Sequence, residues 1–197
     1  MSKTKRIFIA IDLPSLLKEE IKQKCLYLCW RYFPLEKGLI RWTRPENLHL
    51  TLKFLGNVPI TEIGKVENTL KEKLAFIQPF TLLIKGFGFF SQKKKPRVIW
   101  LGVFDSREQL KKLVTKFNRD EYLCRFHREK DKEFISHLTL GRVKKRLSKI
   151  DYQNLLKIKQ ELNDRTLGKF KVDSIKIMES KTLPDGPRYS VIKSFSL

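Results

Sequence analysis

Residues Leu48 to Leu55 read Leu-His-Leu-Thr-Leu-Lys-Phe-Leu, and residues Ile135 to Arg142 read Ile-Ser-His-Leu-Thr-Leu-Gly-Arg. Both contain His-Leu-Thr-Leu, and the chain has only three histidines, so two of the three open the same four-residue word. Chance repetition at this composition is about one in several thousand, which sets the pair apart from a lone motif. Each copy alternates apolar and polar residues, the period of a half-buried strand. In the first copy Leu48, Leu50, Leu52 and Phe54 are expected on a core face, with His49, Thr51 and Lys53 on the other. In the second, Leu138 and Leu140 take the core face while His137 and Thr139 share the open one.

Residues two apart on a strand stand about 6.6 Å apart on one face, so an imidazole and a hydroxyl can close on one small anion such as phosphate. Two histidines from two strands can then open or close a phosphodiester. A neutral imidazole takes the proton of the attacking oxygen and a protonated one supplies the leaving oxygen. The threonines can donate hydrogen bonds to the non-bridging oxygens as charge builds there. The chemistry requires neither a metal nor a covalent nucleophile, and no cofactor is expected. Zinc is the competing use of histidine, but it needs a further ligand, only His127 is spare, and neither HExxH nor CxxC occurs.

The paired motifs resemble the two-histidine (2H) phosphoesterase superfamily and, within it, the RNA 2′,3′-cyclic phosphodiesterases, also described as 2′-5′ RNA ligases. Similar stretches are Arg6 to Pro14, Leu48 to Gly56 ending in Phe-Leu-Gly, Gly86 to Phe90, and Pro96 to Val103, so the resemblance spans most of the chain. It implies that His49 donates the proton, that His137 activates water, and that Thr51 and Thr139 hold phosphate. It also implies a 2′-phosphate product and a reverse 2′-5′ ligation. Ser136 departs from the proline expected before the second histidine.

Around the motifs, 42 Lys and Arg face 21 Asp and Glu, a net charge of +21 that favours polyanions, nucleic acid first among them. Lysine-rich surfaces also arise from organism-wide composition. The expected partner is RNA with 2′,3′-cyclic phosphate ends, tRNA fragments among them, met by a monomer. No apolar run approaches the roughly 20 residues of a membrane span, and three cysteines without framework spacing suit a reducing, cytoplasmic location. Cys25 and Cys29, four apart, are expected in a helix core.

In chain order the periodicities predict a strand over 6–12, a helix over 15–31, a connection over 33–45 carrying Trp42, the first motif strand, a helix from Thr61 to Pro79, and a strand over 80–90. A lysine-rich turn over 91–97 is a candidate for RNA phosphates. Beyond it lie a strand over 97–104, a helix opened by Ser106 and Gln109 as a capping box, a charged segment over 120–133, the second motif strand, a helix over 148–163, and two strands, 170–180 and 188–195, joined around 183–187. The fold class is α+β. Residues 1–197 are expected as one two-lobed domain of pseudo-repeat halves, about 1–92 and 93–197, each with an antiparallel-rich sheet, flanking helices and a cleft between.

Among secondary candidates, Lys53 shares the parity of His49 and can add charge beside phosphate. Arg142 has the opposite parity from His137 unless the strand is bulged, and is not assigned to the site. His127 is expected at the surface. Phe89, Phe90 and Trp42 are candidates for stacking a base. Two other functions stay open: a cyclic phosphodiesterase for a small nucleotide, ADP-ribose cyclic phosphate or a 2′-5′ oligonucleotide, and a non-catalytic RNA-binding module.

Overall fold

The computed structural model describes residues 3–34, 37–92, 95–127, 134–184 and 186–197. Strand β1 (Thr4–Asp12) carries a run of buried residues from Ile7 to Ile11, the mark of a strand covered on both faces. Next come α1 (Ser15–Ile21), a π-helical turn (Lys22–Leu26) and α2 (Tyr27–Tyr32), a continuous helical run whose buried stripe is Leu17, Ile21, Cys25, Leu26 and Cys29. Strand β2 (Ile40–Trp42) lies within the expected connection. Then follow β3 (His49–Pro59), α3 (Ile63–Leu74), β4 (Phe80–Gln92) and β5 (Lys95–Phe104). After these come α4 (Gln109–Asn118), α5 (Glu121–Cys124), β6 (His137–Val143), α6 (Lys149–Leu162), β7 (Thr166–Val172), β8 (Ser174–Leu183) and β9 (Gly186–Ser196).

The helix ends show local chemistry. Ser148 and Asp151 cap α6 reciprocally: the Asp151 backbone N–H donates to Ser148 Oγ at 3.1 Å, and the Ser148 N–H donates to Asp151 Oδ2 at 2.8 Å. The box expected from Ser106 is replaced by Asp105, whose carboxylate accepts from the N–H groups of Arg107 and Leu110 at 3.0 and 2.8 Å.

Among the described residues one antiparallel sheet runs β7-β4-β5-β6-β3-β1-β8-β9, with β2 beside β6. Its centre is thin, because β3 and β6 share a single paired position, Leu50 opposite Leu138. This seam divides the sheet into two groups, β7-β4-β5-β6, with β2 beside β6, and β3-β1-β8-β9, so that the two motif strands meet at the seam. The groups do not follow the expected halves 1–92 and 93–197: β4 belongs with β5, β6 and β7, whereas β8 and β9 return to β1 and β3. The segment 170–180, read as one strand, is two. At Asp173 the chain leaves the β4 edge for the β1 side, and the Asp173 carbonyl accepts from the Leu197 N–H at 2.8 Å.

Both motif strands carry a bulge at the same place. On β3, Thr51 pairs with Ala10 but Lys53 pairs with Ile9. On β6, Thr139 pairs with Trp100 but Gly141 pairs with Ile99. The extra residue in each, Leu52 and Leu140, breaks the alternation and reverses the faces beyond it. Lys53 is therefore 1 % exposed, inside the core, and Phe54 is 43 % exposed on the open face. Both expectations for these residues are overturned by the same bulge.

Lys53 Nζ donates to Asn118 Oδ1 at 2.8 Å at the end of α4, near Cys124 Sγ at 3.8 Å. Its cation thus serves the C-terminus of a helix. Lys53→Met is expected to lower the unfolding free energy by about 1–3 kcal/mol, since Asn118 Oδ1 is left without its buried donor. Chemical denaturation measures it. A raised substrate KM with an unmoved denaturation midpoint would place Lys53 at the substrate instead.

Candidate active site

Leu50 and Leu138 point into the core at the seam, so His49, Thr51, His137 and Thr139 leave from the opposite face. Continuing the antiparallel register sets His49 beside Thr139 and Thr51 beside His137. The four side chains of the repeated word are thereby gathered around one point by local two-fold symmetry.

Each imidazole is oriented in the same way. His49 Nδ1 lies 2.7 Å from the Asn47 carbonyl, and His137 Nδ1 lies 2.7 Å from the Ile135 carbonyl. A carbonyl only accepts, so Nδ1 carries the hydrogen in both rings and Nε2 is the working atom. His49 Nε2 is 3.1 Å from Thr51 Oγ1. Asn47 is itself tied down, its side-chain amide donating to the Pro187 carbonyl at 2.9 Å. Entry to β6 is held by the Val103 N–H, which donates to the Ser136 backbone carbonyl at 3.1 Å, a bond that a proline at this position would accept equally.

Aromatic rings wall both histidines. Phe8 and Tyr189 stand 4.9 Å from the His49 ring, and Phe90 and Trp100 stand 4.9 and 6.4 Å from the His137 ring. Gly88 makes room for Trp100, because a Cβ there would overlap the indole. Of the proposed stacking residues, Phe90 is at the site. Phe89 packs against Tyr152 at 5.9 Å, and Trp42 against Phe33 at 6.5 Å, both joined to the core. Residues 91–92 and 95–97 of the lysine-rich turn belong to β4 and β5, while 93–94, like 128–133 of the charged segment and residue 185, lie outside the described residues. His127 is exposed.

Burial pushes both imidazoles below their ordinary pKa. For His49 the Asn47 carbonyl and the Asp12 charge oppose this, while Lys18 and His137 add to it. For His137 the Ile135 carbonyl opposes it and Arg142 adds to it. Asp12 sits across from His49 in the register and is clamped by Lys18 at 2.6 Å and Lys176 at 2.8 Å. Its own desolvation is outweighed by these two ammonium groups, so its carboxyl titrates below the usual carboxylate range.

Arg142 is a residue that strand parity left out. The bulge at Leu140 turns it to the open face, where its charge acts on His137. Phe54 occupies the corresponding place after the first bulge and stands 6.1 Å from Phe8. The repetition of the word in two strands was the available signal for such a device, since a bulge in one copy implies its fellow. Tyr189 and Phe8 had none: they come from β9 and β1, and only the sheet order brings them to His49.

Two like-oriented imidazoles, each with a threonine two residues on, across a seam in a curled antiparallel sheet, define a two-histidine phosphoesterase. The family model described as LigT like Phosphoesterase matches residues 18–100. The RNA 2′,3′-cyclic phosphodiesterase of Methanocaldococcus jannaschii is 37 % identical over 195 residues, covering 96 % of this chain and 99 % of that one. That of Thermotoga maritima is 32 % identical over 95 % and 92 % of the two chains. Among solved structures, TT0787 of Thermus thermophilus superposes with a TM-score of 0.71 at 25 % identity over 98 % and 97 % of the chains. Escherichia coli LigT complexed with 3′-AMP does so at 0.69, with 25 % identity over 98 % of each. The chain belongs to the LigT-like phosphoesterase family, and it is a hydrolase of that family.

Proposed function

We propose that the protein hydrolyses RNA 2′,3′-cyclic phosphate termini to 2′-phosphomonoesters by acid/base catalysis between His49 and His137, without a metal. The observation that carries this reading is the pair of imidazoles presenting Nε2 from opposite sides of the seam. His137 Nε2 takes a proton from water as its oxygen bonds to phosphorus, the P–O3′ bond breaks, and His49 Nε2–H gives its proton to O3′. Thr51, Thr139 and Arg142 face the non-bridging oxygens, where charge develops. The charged neighbours support this division of roles. The Asp12 carboxylate favours a proton on His49, and the Arg142 guanidinium disfavours one on His137. With an RNA 5′-hydroxyl in place of water, the same two groups would form a 2′-5′ linkage: His137 takes the hydroxyl proton as O5′ bonds to phosphorus, and His49 protonates the departing O3′.

The net charge of +21 supports an RNA substrate. Because the site draws strands from both ends of the chain, residues 1–197 act as one domain, and a monomer holds every group the reaction needs. Among the described residues no helix is long and apolar enough to cross a membrane. Cys25, Cys29 and Cys124 are free thiols, which fits a cytoplasmic compartment.

Incubating the purified protein, in EDTA, with a short RNA ending in a 2′,3′-cyclic phosphate is expected to yield the 2′-phosphate; an unconverted substrate refutes the reading. The pH profile is the second check. His137 must be neutral and His49 protonated, and both pKa values lie below the ordinary 6.5. Activity therefore rises as pH passes the lower of two depressed values and falls beyond the higher one. The kcat/KM maximum is expected on the acid side of pH 6.5, with two limbs. A profile flat from pH 5 to 8 contradicts paired imidazoles.

A further inference from the structure

Three arginines on the open face flank the seam, Arg6 on β1 to one side of it and Arg41 and Arg142 on β2 and β6 to the other. Arg41 on β2 is directly opposite Arg142 on β6 in the antiparallel register. Their side chains thus leave the same face, an arrangement in which like charges repel. Arg6 lies two residues before Phe8 on β1, with that residue's parity. All three are exposed, and all three charges act on the hydroxyl of Tyr189, whose ring stands 4.9 Å from His49 and 5.2 Å from Phe8. No side-chain hydrogen bond or ion pair joins the guanidinium of Arg6, Arg41 or Arg142 to another described residue.

Such a cluster costs stability in the free protein and is repaid only when an anion enters it. One anion is already placed: the reacting phosphate, at the seam, faced by Arg142. Arg41 and Arg6 remain, both with their charge acting on Tyr189, whose ring lies beside that centre. In an oligoribonucleotide ending in a cyclic phosphate, the next negative charge is the phosphodiester on the 5′ side of the terminal ribose. A mononucleotide cyclic phosphate has no charge there.

We propose that Arg41 and Arg6, around Tyr189, form a subsite for the internal phosphodiester preceding the terminal nucleotide, so that the enzyme selects oligoribonucleotides over mononucleotide cyclic phosphates. The proposal rests on the cyclic phosphodiesterase reading above and adds to it a second anion site. Planar guanidinium forks suit a diester's two free oxygens.

The test compares two dinucleotides, both ending in a 2′,3′-cyclic phosphate, one joined by an ordinary phosphodiester and one by a neutral methylphosphonate. The wild-type protein is expected to favour the charged linkage on the order of tenfold in kcat/KM, the worth of a charge-assisted contact. In Arg41→Gln with Arg6→Gln that ratio is expected to fall toward one, and Arg41→Lys to recover part of it. A ratio that survives in the double variant, or an equal loss on both dinucleotides, overturns the subsite. The corresponding dinucleotides ending in a 2′-phosphate are not turned over, and their relative affinities are expected to show the same ratio. If no cyclic phosphate is hydrolysed the catalytic reading fails, and the affinity ratio still decides the subsite by itself.

Discussion

His137→Ala is expected to lower kcat by about 10²–10⁴-fold on an RNA ending in a 2′,3′-cyclic phosphate, and His49→Ala by the same order. The magnitude follows from what each ring supplies. In the proposed mechanism His137 Nε2 is the base that takes the proton of water from the β6 side. Its Nδ1–H is committed to the Ile135 carbonyl at 2.7 Å, so the ring cannot turn without losing that bond. His49 is held by the Asn47 carbonyl in the same manner. Replacing either leaves the threonines and Arg142 in place, so affinity for the 2′-phosphate product is expected to persist while turnover collapses. Because the two groups act on one transition state, removing both costs scarcely more than removing one. Single-turnover rates and product binding, measured on the three variants, check this. An unchanged rate in either single variant contradicts the assignment, as does a loss confined to KM.

The second large effect is at Arg142. Arg142→Ala is expected to lower kcat by about 10²–10³-fold, the usual cost of one preorganised donor aimed at developing charge. A structural role could produce a loss of that size, so the sign of a second change matters. The guanidinium holds the His137 pKa down. Without it that pKa rises, and the acid limb of kcat/KM, which reports the base losing its proton, moves to higher pH. Arg142→Lys keeps a charge but lacks the planar fork, and is expected to restore the limb more fully than the rate. An acid limb that stays in place in Arg142→Ala would separate Arg142 from the base.

The repeated His-Leu-Thr-Leu and its alternation were enough to place His49, Thr51, His137 and Thr139 on one face and to indicate an α+β fold. The first three positions of each motif strand obey simple parity, because they precede the bulges. Beyond Leu52 and Leu140 parity fails, and Lys53, Phe54 and Arg142 each point the other way from their expected face. Nothing local announces those bulges. They arise from how β3 pairs with β1 and β6 with β5, and that pairing is a property of the sheet. The break at Asp173 was hidden for a similar reason. No glycine or proline interrupts 170–180, and the separation of β7 from β8 is set by distant partners, β4 for one and β1 for the other. Equal halves of the chain were a natural expectation from strand–helix order. The sheet instead exchanges strands between them, so that each lobe is built from segments far apart in sequence.

The division of labour between the two rings is tested most directly by a substrate whose leaving group needs no proton. In a 2′,3′-cyclic phosphorothiolate with sulfur at the 3′ bridging position, the departing group is a thiolate, stable near neutral pH because thiols ionise at about 8.5. A variant lacking the general acid is relieved of its defect on this substrate; a variant lacking the base is not. His49→Ala is therefore expected to recover most of its lost rate relative to the oxygen substrate, while His137→Ala remains as impaired as before. Rescue of His137→Ala instead would reverse the two roles, and rescue of neither would contradict proton transfer from histidine to the leaving oxygen.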